Sequence, residues 1–123
     1  MTYNEILGNK GEQIAAKYLK AKGYTLLSRN FHARGGEIDL IFKSKSGQYI
    51  FAEVKTRSSD KFGLAKEAIT QAKLSKILSA IEDYFKTTEE MPDFRIDIVC
   101  VRKKNEKFYV SHYKNISFAD LNF

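Results

Sequence analysis

Three polar residues sit in two short apolar runs: Asp39 in "EIDLIFK", and Glu53 and Lys55 in "YIFAEVKT". Alternation along a strand places Ile38, Leu40 and Phe42 on one face of the first run, and Glu37, Asp39 and Ile41 on the other. In the second run Ile50, Ala52 and Val54 oppose Tyr49, Phe51, Glu53, Lys55 and Arg57. Each run therefore has one apolar face and one mixed face. A hairpin symmetric about Ser46 sets Asp39 opposite Glu53, and Glu37 opposite Lys55. Directly opposed side chains have Cβ atoms ~5 Å apart, where two carboxylates repel. A positive group must separate them. Lys55 is one candidate, and a divalent cation such as Mg²⁺ is the better fit, because hard cations take oxygen ligands and often need only one or two carboxylates. The register carries this expectation, since a slip of one residue turns Asp39 to the opposite face.

A third acid belongs with these two. Glu12 is at helical spacing from Gly8, Ala15 and Leu19, on or beside the stripe that faces the sheet. Taken alone it reads as an exposed acid favoured by a helix amino terminus. Taken with Asp39, Glu53 and Lys55 it reads as part of one constellation.

The elements that position these residues follow from periodicity. A helix is expected from about Asn4 to Lys22, with Leu7, Gly11, Ile14, Ala15, Tyr18 and Leu19 on its inner face and Gly23 closing it. "YTLLSRNF" is a first strand. Gly35 and Gly36 break the chain before the second, and "SKSGQ" turns it into the third. From Leu64 to about Lys86, Ala65, Ala68, Ile69, Ala72, Leu78, Ile81 and Phe85 describe a second amphipathic helix. The single proline, Pro92, separates it from a further hairpin, "FRIDIVCVR" and "KFYVSHY". Helices separated by a hairpin-rich sheet predict an α/β sandwich with a mixed sheet.

Length and composition set the outer bounds. A chain of 123 residues suits one domain spanning 1–123, and no run approaches the roughly 20 apolar residues of a membrane-spanning helix. The amino terminus has no apolar core behind a basic start, so a cytoplasmic protein is expected. Cys100, the single cysteine, is expected to pack as a small hydrophobe. Twenty-one Lys and Arg against 15 Asp and Glu give a net charge of +6, which suits either a polyanion partner or plain solubility.

"EID" followed across a hairpin by "EVK" resembles the PD-(D/E)xK motif of restriction-endonuclease-like nucleases. "GNKGEQIAAKYLKAKGYTLLSRNFHARGGEIDLI", "FAEVKTRSSDKFG" and "FRIDIV" together resemble the YraN family, with kinship to archaeal Holliday junction resolvases. The resemblance covers nearly the whole chain. It implies a restriction-endonuclease-like three-layer sandwich, a central mixed β-sheet flanked by helices. It also implies Asp39, Glu53 and Glu12 as ligands of Mg²⁺ or Mn²⁺, with Glu12 the helix acid that completes the site, and Lys55 as the motif lysine. The Val54 carbonyl would face the metal by the same analogy. Where relatives carry proline before the aspartate, this chain has Ile38.

The expected function is a metal-dependent DNA endonuclease hydrolysing phosphodiester bonds, with branched or junction DNA among its candidate substrates. A metal would acidify water and clamp phosphate oxygens, and Lys55 would orient water or stabilise charge. Arg57, Lys73 and Lys76 are candidates for the nucleic-acid backbone; each has the alternative of a solvated surface position. The competing functions are a nucleic-acid-binding adaptor that keeps the fold without useful turnover, and a protein-interaction module in which the carboxylates merely pair with Lys55 and Arg57. A homodimer is open, by analogy with junction resolvases. His32 and His112 are expected to be structural, Asp97 to pair with Arg95, and Tyr49, Phe51 and Tyr109 to be core rather than base-stacking residues.

Overall fold

The computed structural model describes residues 1–58 and 69–120. Helix α1 (Tyr3–Ala21) is followed by strands β1 (Thr25–Ala33), β2 (Gly36–Lys43) and β3 (Tyr49–Arg57), helix α2 (Gln71–Tyr84), strands β4 (Phe94–Lys104) and β5 (Lys107–Tyr113), and a short 3₁₀ turn (Phe118–Asp120). The five strands form one sheet in the order β1-β2-β3-β4-β5. All neighbours are antiparallel except β3 and β4, which run parallel because α2 carries the chain across between them. The sheet is therefore mixed, as expected.

The two helices cover opposite faces. Ala15, Ala16 and Leu19 of α1 pack on Leu40, Phe42, Ile50, Ala52, Val99 and Val101. Leu74, Ile77, Ala80 and Ile81 of α2 pack on Ile41, Phe51, Ile96, Ile98 and Cys100. The central strands are apolar on both faces because each is covered twice. Tyr49 and Phe51 stack at 6.4 Å and meet Tyr84 and Phe85 edge to face, so they belong to the core. Tyr109 instead lies exposed on β5 beneath the Arg102 guanidinium. Cys100 is buried, and burial pushes its thiol up to about 11. No helix among the described residues is long and apolar enough to cross a membrane.

Helix α2 starts later than its apolar periodicity predicts. Ile69 and Thr70 precede the helix, and the Thr70 hydroxyl caps it by accepting the Lys73 N–H at 3.1 Å. Ala72 is exposed. Positions 64–68 of the expected helix, with Ala65 and Ala68, lie outside the described residues, as do residues 59–63 of the motif "FAEVKTRSSDKFG". Strand β1 runs two residues beyond Phe31, to Ala33, and its register shifts between Leu26 and Ser28.

The β2–β3 hairpin has the expected register, with Lys43 opposite Tyr49 and Leu40 opposite Ala52, and the ladder ends there. Beyond that point β2 stays with β1 and leaves β3. Two pairings expected from hairpin symmetry are thereby corrected: Asp39 is not a ladder partner of Glu53, and Glu37 lies opposite His32 rather than Lys55. Ile38 packs in the cluster beneath α2, with Ile41, instead of sharing a face with Leu40 and Phe42. Strict alternation fails around Asp39, where β2 loses β3 on one edge and keeps β1 on the other.

Two glycines let the helices approach the sheet. A Cβ on Gly11 would collide with the Thr56 side chain, and one on Gly36 would stand 2.6 Å from the Lys76 carbonyl oxygen. Gly11 brings the Glu12 turn of α1 against the end of β3. Gly36 brings the Lys73–Lys76 turn of α2 against the start of β2.

Candidate active site

The parting of β2 from β3 leaves the Val54 N–H without a ladder partner from β2. The Asp39 carboxylate takes it, with Oδ2 accepting at 2.7 Å. Asp39 thus lies across the gap in the ladder and is joined to the residue between Glu53 and Lys55. Its carboxyl is raised above the ordinary 3.8, chiefly by burial, with the Val54 N–H and the ammonium groups of Lys73 and Lys55 acting in the opposite sense.

Glu53 projects from β3 towards α2 and is buried. Its Oε1 is approached by Lys55 Nζ at 3.4 Å and by Lys73 Nζ at 3.5 Å. Burial pushes the Glu53 carboxyl up to about 7, the Asp39 charge adds to the rise, and the two lysines hold it down. Glu12 is also raised, first by burial and then by Asp39, with Arg29 opposing. Acids from α1, β2 and β3 therefore share one electrostatic environment. The arrangement concentrates negative charge that two ammonium groups only partly offset.

Two clefts open beside this centre. One, of about 490 Å³, is lined by Asn4, Gly8, Glu12, Lys55, Thr56 and Arg57 among others. The second, of about 440 Å³, is lined by His32 to Glu37 together with Lys73 and Lys76. The two lysines on Glu53 thus border different clefts.

Asp39 and Glu53 suit a hard divalent cation: both are oxygen donors, Glu53 is buried and Asp39 half-buried, and the charge on one disfavours ionisation of the other. Among the described residues no group of three or more His, Cys, Asp or Glu side chains is arranged to hold a metal. The fit is thus to a cation held by two carboxylates, with the remaining positions left for water and phosphate oxygens.

Of the residues expected from sequence, Asp39, Glu53 and Lys55 come together, and Glu12 joins them through its field. Arg57 is exposed on the wall of the first cleft, where its Nη1 donates to the Thr56 carbonyl at 3.0 Å. Lys76 is exposed on the wall of the second. Lys73 is placed otherwise than a solvated helix lysine: it reaches back to Glu53. Its place on the second helix was legible, but not its place in the first turn, since the apolar periodicity starts the helix at Leu64, nor the packing of that turn beside β3. His32 pairs with Glu37 at 3.1 Å on the surface.

A second polar cluster lies apart from these residues, on β4 and β5. Asp97 is fully buried and accepts from Arg95 Nε at 3.0 Å and the Asn115 N–H at 3.0 Å, and it pairs with His112 Nε2 at 2.7 Å. Arg95 Nη2 also donates to the Tyr24 hydroxyl at 3.0 Å. This cluster ties the segment after β5 to the sheet. The ion pair expected between Asp97 and Arg95 is present, and His112 is a buried member of it.

A mixed five-stranded sheet between two helices, with two carboxylates and two lysines where an antiparallel ladder ends, defines an α/β protein with an acidic, lysine-flanked centre. Residues 11–101 match the model of the uncharacterised protein family UPF0102, and the chain belongs to that family. It is 41% identical over 113 residues to a UPF0102 protein of Syntrophomonas wolfei, covering 91% of this chain and 97% of the relative. It is 36% identical over 114 residues to one of Carboxydothermus hydrogenoformans, covering 89% and 93%. A UPF0102 protein of Caldicellulosiruptor saccharolyticus is 41% identical over 113 residues, covering 89% and 94%. The YraN membership expected from the motifs is met by this family.

Proposed function

We propose that the protein is a divalent-metal-dependent endonuclease of the restriction-endonuclease-like fold, acting on DNA phosphodiesters, with branched or junction DNA as its preferred substrate class. The observation that carries this reading is the pair of carboxylates, half-buried Asp39 tied to the Val54 N–H at 2.7 Å and buried Glu53 within its field, with Lys55 at 3.4 Å from Glu53. Bound between Asp39 and Glu53, Mg²⁺ or Mn²⁺ would supply an acidified water and a clamp for phosphate oxygens. Asp39 is held in place for that task by the backbone of the neighbouring strand. Lys55 stands beside Glu53 as a fixed donor for charge that builds on the phosphate. Glu12 closes the α1 side, its carboxyl within the field of Asp39. Arg57 offers a planar donor to a flanking phosphate.

Purified protein incubated with branched and linear duplexes and Mg²⁺ or Mn²⁺ is expected to cut the branched form. Asp39→Ala and Lys55→Ala are each expected to lower the rate by about 100-fold or more. Cutting that persists in both variants would refute the assignment. The second reading, a nucleic-acid-binding adaptor, is favoured by the two ammonium groups that already stand against Glu53 and partly offset its charge. It requires salt-dependent DNA binding that survives both substitutions, with no cutting by the parent protein.

A further inference from the structure

Glu53 is held by two lysines of different origin. Lys55 is two residues along the same strand and shares its face, so it stays beside Glu53 whatever α2 does. Lys73 reaches across from α2, and both ammonium groups approach the same oxygen, Oε1. Two like charges on one oxygen leave the second weakly held. Lys73 keeps 30% of its side-chain surface exposed against 6% for Glu53, so it can leave without unpacking the core.

Its position also works against its own helix. Lys73 occupies the first turn of α2, whose hydroxyl cap accepts the Lys73 N–H, and that turn has no acidic residue. A cation there opposes the helix dipole, so helix stability does not account for it. The same side chain lines the second cleft, beside Lys76, Arg34 and the close-packed Gly36. That cleft is the one a strand would enter from the α2 side, with Arg34 and Lys76 offering further cations to its phosphates.

We infer that Lys73 is an exchangeable counter-ion: it neutralises Glu53 in the free protein and transfers to a phosphate oxygen of a nucleic-acid strand in the second cleft once a divalent cation takes Glu53. The inference rests on the metal-dependent reading above and adds a step to it. Lys73 is a positioning residue that keeps the acid pair from standing uncompensated, and it couples cation uptake to strand binding. It follows that cation and Lys73 compete for one carboxylate, and that removing Lys73 has opposite effects on the two ligands.

Full-length parent protein, Lys73→Met and Lys73→Arg would be titrated with Mn²⁺ by calorimetry, and with a labelled duplex in Ca²⁺ over a range of salt concentrations. Lys73→Met is expected to bind Mn²⁺ about two- to fivefold more tightly. Its DNA affinity is expected to fall, with a salt slope smaller by about one. Lys73→Arg is expected to restore the slope. Lys73→Gln serves as the second neutral variant if circular dichroism shows the Met form unfolded. Mn²⁺ uptake seen only in the neutral variants would also support the exchange. Equal Mn²⁺ affinity in the parent and the neutral variants, with uptake still abolished by Asp39→Ala, would overturn the exchange and leave the metal site standing. Absence of Mn²⁺ uptake in every form would overturn both.

Discussion

Glu53→Gln should stabilise the protein at alkaline pH and do little at acid pH. A carboxyl raised from 4.5 to about 7 binds its proton more tightly in the folded chain, so stability falls as pH rises from the unfolded value towards the folded one. By pH 8 the charged form is disfavoured by on the order of 3 kcal/mol, whereas at pH 5 the penalty is below about 1 kcal/mol. Glutamine removes the charge but presents an amide to Lys55 and Lys73, at a cost of about 1 kcal/mol. The net expectation is a gain of about 1–2 kcal/mol at pH 8 and about zero at pH 5. Urea denaturation at the two pH values measures both, and thermal melting should show a rise of several degrees at pH 8. Mg²⁺ should stabilise the parent protein and leave Glu53→Gln unmoved, since a ligand stabilises only a state that binds it. A variant less stable than the parent at pH 8, or a gain equal at both pH values, would refute the claim that an ionised, buried Glu53 is a source of strain.

Two structural substitutions test the frame around the site. Asp97→Asn leaves the half-buried Arg95 and the buried His112 ring without their carboxylate and should cost about 3–5 kcal/mol in urea denaturation. Although burial raises the Asp97 carboxyl, the hydrogen bonds from His112, the Asn115 N–H and Arg95 lower it below 3.8 overall. Its stabilisation is therefore complete above about that pH and is lost as pH falls through the lower folded value, so the acid limb of the stability curve should flatten in the variant. Gly36→Ala sets a Cβ 2.6 Å from the Lys76 carbonyl oxygen, a backbone atom that yields only if α2 shifts. A loss of about 1–3 kcal/mol is expected, read as a lowered urea midpoint with an unchanged slope.

Much of the architecture is written in local pattern. Alternation in "EIDLIFK" and "YIFAEVKT", the turn at "SKSGQ" and the helical stripe before Gly23 specify the hairpin and α1, because strand and helix periods are properties of neighbouring residues. Asp39, Glu53 and Lys55 could be grouped on that basis alone. The hairpin register could be read to Leu40 and Ala52, since a turn fixes pairing close to itself. It could not be read past that point. β2 pairs with β1 along its whole length on one edge but with β3 only as far as Leu40 on the other, and where that second ladder stops is decided by the packing of the whole sheet rather than by the turn. Past that point Glu37 lies opposite His32, Ile38 packs beneath α2, and the Val54 N–H goes to Asp39. Lys73 is the sharper case. Its identity and helix were visible in the chain, but its contact with Glu53 exists only because α2 crosses from β3 to β4 and is drawn onto β2 at Gly36. Such contacts join segments distant in sequence, and only the folded chain brings them within reach of one another.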